Sequence, residues 1–210
     1  MNEKCQIFCD FDGTITKEDT IGKFLRLFAH DKWLEIEKQW KDGKIGSRDC
    51  MAEQLALVKD VSDNDLKNFY YNIEIDESFI GFYNDLKKRN IQFTIVSDGF
   101  DIFINNVLRK YDLQDIKIIS NKLEIKDGKF IPIYDDKYKS CKRKSGVCKC
   151  KAVEEESCNY NYLIYIGDGL SDTCVSGKMN KIYAKNYLAQ YLSSKNIPYV
   201  KFNNFEEIKI

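Results

Sequence analysis

Short apolar runs that end in acidic or small polar residues alternate along this 210-residue chain with stretches whose apolar positions recur every three or four residues. The first run, Cys5 to Cys9, stops at Asp10-Phe11-Asp12-Gly13-Thr14. That pattern predicts a buried strand delivering carboxylates at its C-terminal tip. From Asp19 to about Leu86 the period turns helical, with Ile21, Phe24, Leu25 and Phe28 on one stripe and Trp33, Ile36 and Trp40 on the next. Ser47 is placed as the N-cap of a helix carrying Met51, Leu55 and Val58. Ser62 with Asp65 opens another, through Leu66, Phe69 and Tyr70, and Phe79, Phe82, Tyr83 and Leu86 line a further one.

The period changes at Gln92 to Val96, a β-branched run that stops at Ser97-Asp98-Gly99 and predicts a second strand tip. Phe103, Val107, Leu108 and Tyr111 mark the helix that follows, and Lys117 to Ser120 read as a strand. Leu123 to Lys126 and Phe130 to Ile133, joined through Asp127-Gly128, carry a hairpin signal. After a Lys- and Cys-rich loop, Tyr162 to Ile166 runs into Gly167-Asp168-Gly169-Leu170-Ser171-Asp172, a third acidic tip. Strands alternating with helices predict an α/β fold with a doubly wound, Rossmann-like, mostly parallel sheet, in which ligands bind outside the carboxyl ends of the strands. The helical stretch after the first strand then reads as an inserted all-helical cap over residues 15–81, with 1–14 and 82–210 forming the core.

Composition sharpens this picture. Hydrophobic residues make up 43% and aromatic ones 13%, with only 2 Pro and 11 Gly, so the chain has material for a packed core and is not a disordered segment. The 33 Lys and Arg balance the 33 Asp and Glu. Such neutrality lacks the charge footprint of a nucleic-acid binder. No apolar stretch approaches the roughly 20 residues of a membrane span, and no secretory leader precedes the first strand, so the expectation is a cytoplasmic protein with reduced thiols.

The chemistry gathers at the tips. Asp10 and Asp12 are crowded carboxylates whose repulsion a divalent cation or a cationic substrate group would relieve. Asp168 and Asp172 add hard oxygen donors of the kind Mg²⁺ prefers. Ser97, Asp98 and Gly99 offer a hydroxyl and backbone N–H groups to an anion, and Lys151, near the start of a helix ahead of the third tip, supplies a cation in preference to Lys149.

In order and spacing, Asp10-Phe11-Asp12-Gly13-Thr14, Ser97, Lys151 and Gly167-Asp168-Gly169-Leu170-Ser171-Asp172 resemble the four motifs of the haloacid dehalogenase superfamily. The helical insertion resembles the cap of its phosphoserine phosphatase branch. Asp10-Phe11-Asp12-Gly13-Thr14-Ile15-Thr16, Asp19 and the Cys-x-Cys-Lys ending at Lys151 resemble, more closely, the methionine-salvage phosphatases, which hydrolyse 2-hydroxy-3-keto-5-methylthiopentenyl-1-phosphate. The resemblance implies a Mg²⁺-dependent phosphomonoesterase in which Asp10 is the nucleophile and Asp12 the general acid and base. It implies phosphate binding by Ser97, Asp98, Gly99 and Lys151, and metal binding by Asp10, Asp12 and Asp168, supported by Asp172. The implied partner is a small phosphorylated metabolite, with no nucleic acid and no membrane.

Other readings stay open beside this one. Glu18, Asp19, Arg48 and Gln54 are candidates for substrate selection, Glu18 and Asp19 for an amino group and Arg48 for a carboxylate. Phosphoserine and phosphoethanolamine or phosphocholine are the alternative substrates. Cys141, Cys148 and Cys150, with Cys158 as a candidate fourth ligand, allow a structural Zn²⁺, but Cys148-x-Cys150 departs from the usual Cys-x₂₋₄-Cys pair, which favours plain thiols. A receiver-type signalling module and a zinc-stabilised binding protein are the competing classes.

Overall fold

Strand β1 (Cys5–Cys9) lies at the centre of the molecule, and its alternation separates the two layers around it. Ile7 and Cys9 face one apolar cluster and Phe8 the other, all without solvent exposure. The computed structural model describes residues 4–210; the first three residues of the expected core segment lie outside the described residues.

After β1 come four helices, α1 (Thr20–Phe28), α2 (Trp33–Lys41), α3 (Ser47–Leu55) and α4 (Asp63–Tyr71), then α5 (Ser78–Lys88). The chain continues through β2 (Gln92–Phe100), α6 (Asp101–Lys110), β3 (Lys117–Lys126), β4 (Lys129–Ile133), α7 (Lys149–Glu156), β5 (Tyr162–Gly167), β6 (Lys181–Ala184), α8 (Asn186–Ser194) and β7 (Val200–Lys201). The seven strands stand in the order β4-β3-β2-β1-β5-β6-β7. Every pairing is parallel except the β3–β4 hairpin. Helices α5 and α6 cover one face through Phe79, Leu86 and Phe103, while α7 covers the other through Ala152 and Val153. This is the expected doubly wound α/β sheet, with β1 at the point where the strand order reverses, so its tip opens into a crevice.

The helical segment enters and leaves the sheet at one neck. Thr16 bridges Ile75 in antiparallel fashion, Lys17 donates its amide to the Glu74 carbonyl at 3.0 Å, and Asp76 donates to Ile15 at 2.8 Å. Helix α5 crosses the expected boundary at residue 81 and packs on the sheet layer, Phe79 lying 5.7 Å from Phe93 and 4.9 Å from Phe205. The two parts also share an apolar core. Phe24 of α1 lies 5.0 Å from Phe103 of α6 and 5.0 Å from Phe130 of β4, and Phe69 of α4 lies 5.3 Å from Phe103.

Three local details depart from the sequence reading. Ser47 is the first residue of α3 rather than its cap, because extended Gly46 precedes it and its hydroxyl is committed elsewhere. Strand β2 runs on to Phe100, but its register with β3 shifts between Val96 and Phe100, so Ser97–Asp98–Gly99 leaves the regular ladder. The run at Lys117 and the first hairpin arm form a single strand, β3.

Candidate active site

At the tip of β1 the parallel ladder carries one residue further, since the Asp10 amide donates to the Ile166 carbonyl at 2.9 Å. The following turn requires Gly13. Its φ is +72°, and a Cβ there would sit 2.7 Å from an Asp168 oxygen. That close approach brings the first and third acidic tips together. Single oxygens of Asp10, Asp168 and Asp172 all lie within 4.8 Å of one another, the one such acidic grouping among the described residues.

Each of these carboxylates is held differently. Asp10 Oδ1 accepts from the Phe11 amide at 2.8 Å and lies 2.7 Å from Lys149 Nζ, while Oδ2 carries no hydrogen bond among the described residues. Asp12 Oδ1 accepts from the Thr20 amide and hydroxyl, and Oδ2 lies 3.4 Å from the Ser97 hydroxyl that donates to it. Asp168 accepts from Thr14 Oγ1 at 3.0 Å and Asn186 Nδ2 at 3.2 Å. Burial raises the carboxyl pKa of Asp10, Asp12 and Asp168, and the charge of Asp172 raises Asp10 and Asp168 further.

Asp172 is 0% exposed and fully occupied. Its Oδ1 accepts from Lys149 and from the Tyr165 hydroxyl at 2.6 Å, and its Oδ2 from the amides of Asp168 and Gly169. It holds Lys149 and the Asp168 loop in place beside the Asp10 and Asp168 carboxylates.

The cation of the site is Lys149, 2% exposed and 2.7 Å from both Asp10 and Asp172. Burial alone would lower its pKa, but the charges of Asp10 and Asp172 hold it well above the ordinary lysine range. Lys151 is elsewhere. Its Nζ donates to the Lys137 carbonyl at 3.0 Å on the surface. The reason is helical geometry: α7 begins at Lys149, and Lys149, Ala152 and Val153 form its buried stripe, from which Lys151 is rotated away. The i, i+3, i+4 relation of Lys149 to Ala152 and Val153 was the signal in the sequence for this residue.

Ser97 is buried, and its hydroxyl accepts from the Gly99 amide at 2.9 Å. That amide is therefore occupied rather than open to an anion. The Asp98 side chain turns away from Asp10, toward Ser47, Asn121 and Val147.

Above these tips lies a cavity of about 410 Å³, walled by Ile21, Glu37, Trp40, Cys50, Met51 and Gln54 and floored by Asp10, Asp12, Ser97 and Asp168. Asp19, the N-cap of α1, faces it while accepting from the Ile21 and Gly22 amides. The residue is solvent-exposed at the cavity mouth, yet the protein around the carboxyl and the Asp12 charge push its pKa up to about 7. Gln54 is buried and donates to Glu37 Oε2 at 3.0 Å. Glu18 is on the cavity rim but engaged, at 2.6 Å to Lys23 and 2.9 Å to Arg26. Arg48 is not among the cavity's lining residues. Its guanidinium stacks 4.9 Å over the Tyr134 ring, and its Nε and Nη2 are buried without partners. The sequence does not mark Thr14, Thr20, Tyr165, Asn186, Glu37 or Trp40 as site residues, because the turns and packing that bring them to the site are set by the fold.

The thiols do not converge. All eight cysteines are free thiols: Cys141 neighbours Cys148, Cys150 neighbours Cys174, and exposed Cys158 donates to the Glu154 and Glu155 carbonyls. Among the described residues no three of them come within 4.8 Å, and no helix is long and apolar enough to cross a membrane.

Residues 7–175 match the family described as haloacid dehalogenase-like hydrolase. A 2-hydroxy-3-keto-5-methylthiopentenyl-1-phosphate phosphatase of Brevibacillus brevis is 25% identical over 99% of this chain and 95% of its own. The Pdp3-interacting factor 1 of Schizosaccharomyces pombe is 30% identical over 96% of this chain and 92% of its own. A solved structure of a phospho-aspartyl intermediate analogue of phosphoserine phosphatase covers 99% of this chain and 98% of that one at a TM-score of 0.71 and 22% identity, a likeness of fold. With the family match spanning most of the sequence and the acidic tips meeting as its motifs imply, the chain belongs to the haloacid dehalogenase-like hydrolases.

Proposed function

We propose that this chain is a phosphomonoesterase acting on a small organic phosphate through an aspartyl-phosphate intermediate. The observation that carries this reading is Asp10, whose Oδ1 is fixed by Lys149 and the Phe11 amide while Oδ2 is left for phosphorus. In the first step Asp10 attacks phosphorus, the ester P–O bond breaks, and Asp12 gives its proton to the departing oxygen. In the second, Asp12 takes a proton from water, the water oxygen attacks phosphorus, and the bond to Asp10 breaks, releasing phosphate. Burial raises the Asp12 pKa, which suits it to carry that proton. Lys149 and the Ser97 hydroxyl stabilise the transferring group.

The donor set fits Mg²⁺. The Asp10 and Asp168 carboxylates and the Asp12 backbone carbonyl would hold it, three hard oxygens in a site whose acids outnumber the single buried lysine. When bound, the ion supplies charge neutralisation for the phosphoryl group. The helical segment from residue 15 onward acts as the cap that shields the reaction and selects the tail.

The tail favoured is uncharged and apolar. Ile21, Trp40, Cys50 and Met51 suit a methylthio group, and the names of the curated relatives support the enolic methylthiopentenyl phosphate as the substrate. Phosphoserine is disfavoured, because Arg48 lies off the wall and Glu37 and Asp19 stand where a carboxylate would be repelled. Glu37 beside Trp40 supports a second reading, phosphoethanolamine or phosphocholine, since an acid next to an indole suits a cationic tail. The test is phosphate release with Mg²⁺ from these four esters, with Asp10→Asn as blank. Turnover of the enolic ester above the others is expected; activity surviving in Asp10→Asn would overturn the nucleophile.

A further inference from the structure

Asp98 sits one residue after Ser97, and its carboxylate ties three separate segments together. Oδ2 accepts from the Ser47 hydroxyl in the first turn of α3. Oδ1 accepts from the Val147 amide at 2.8 Å and from Asn121 Nδ2 at 3.2 Å, and the same amide nitrogen also donates to the Asp98 carbonyl. Val147 stands two residues before Lys149, so this hydrogen bond fixes the start of α7 from which Lys149 reaches Asp10. The packing around the junction is close. A Cβ on Gly146 would lie 2.4 Å from Asn121 Oδ1, a Cβ on Gly46 would lie 2.3 Å from Lys144 Cβ, and the Arg48 amide donates to the Lys144 carbonyl at 3.2 Å. The 144–147 segment is thereby pressed between β3 and the α3 N-terminus.

We infer that Asp98 is a positioning residue that sets two distances at once. It holds Ser97 and Lys149 in register around the phosphoryl group, and through Ser47 it sets how near the α3 wall, with Cys50, Met51 and Gln54, stands to that group. This inference rests on the phosphatase reading of the site and deepens it, since it makes one side chain couple phosphate grip to tail fit. What the junction requires is acceptors aimed at Val147 and Asn121. The Ser47 hydroxyl can donate or accept, so an asparagine at 98 would satisfy the same three partners with its Oδ1 and Nδ2.

The test compares Asp98→Ala, Asp98→Asn and Ser47→Ala, measuring inorganic phosphate affinity by calorimetry with Mg²⁺ and KM for the best ester of the panel. Asp98→Ala is expected to weaken phosphate binding at least tenfold and raise KM. Asp98→Asn is expected to recover affinity to within threefold. Ser47→Ala, which cuts the arm to α3 alone, is expected to raise KM at least threefold with phosphate affinity held within twofold. A folded Asp98→Ala with unchanged phosphate affinity overturns the inference, as does an Asp98→Asn no better than Asp98→Ala, or a Ser47→Ala that weakens phosphate equally. If Asp98→Ala does not fold, Ser47→Ala combined with Asn121→Ala carries the test: weaker phosphate binding supports the inference, and wild-type affinity overturns it. Hydrolysis of p-nitrophenyl phosphate by the unaltered chain is measured alongside, and its absence counts against the phosphatase reading rather than against Asp98.

Discussion

Lys149 Nζ stands 2.7 Å from Asp10 Oδ1, with the lysine 2% and the aspartate 5% exposed. A buried ion pair of this kind adds little net stability over an apolar replacement, but removing one partner leaves an uncompensated charge. Lys149→Met should lower kcat/KM by about 10²–10³-fold and destabilise the fold by about 3–5 kcal/mol. Lys151→Met should leave both within the error of a surface change. Phosphate-release kinetics and denaturant melts on the two variants check this, and the reverse ranking would reassign the cation.

The different surroundings of Asp168 and Asp172 separate their roles. Asp168→Asn should raise the Mg²⁺ concentration giving half-maximal activity at least tenfold. Asp172→Asn should lower kcat with much less change in that concentration, because all four of its hydrogen bonds serve Lys149, Tyr165 and the loop amides. A Mg²⁺ titration of both variants reads the difference.

For Arg48, two buried nitrogens without partners offset the contact with the Tyr134 ring. Arg48→Met should therefore keep stability unchanged or raise it by up to about 1 kcal/mol, and it should not alter the ratio of phosphoserine to phosphoethanolamine turnover. A selective loss of phosphoserine turnover would return Arg48 to the substrate site.

Asp19 gives a pH signature whose sign follows from its environment. Its ordinary pKa of 3.8 rises to about 7 in the fold, so between these values the folded state binds the proton more tightly than the unfolded one. Its contribution to stability is then fully present below about pH 4 and is lost as pH rises through about 7. Asn can cap α1 as Asp does. Melting curves of Asp19→Asn should accordingly lose part of the wild-type decline between pH 4 and 7, and parallel curves for the two proteins would contradict the shift.

Much of this candidate site is legible in the sequence. Asp10, Asp12 and Asp168 stand immediately after apolar runs, so strand burial announces both their position and their crowding. The cation was misplaced by two residues because a run containing Lys149 and Lys151 looks uniformly solvated until the buried stripe through Ala152 and Val153 fixes the helical phase. Arg48 was expected in the cavity because its place on a helix is readable while the direction of its side chain is not; Tyr134, 86 residues away, determines that. Asp98 offered no separate signal, since its partners Ser47, Asn121 and Val147 meet only in the fold.

The ring of Phe24 lies against Phe103 and Phe130, and Phe69 against Phe103, so the helices between β1 and α5 share their interior with the sheet layer. Exchanging residues 15–76 for the corresponding stretch of a relative would therefore transplant half of a packing surface and strand the other half. A chimera that altered substrate choice would need to carry matching residues at 103 and 130, far from the cavity. For the same reason the two parts should melt in a single transition, and selection acting on the substrate wall is constrained by the fit of four phenylalanines that do not line the cavity.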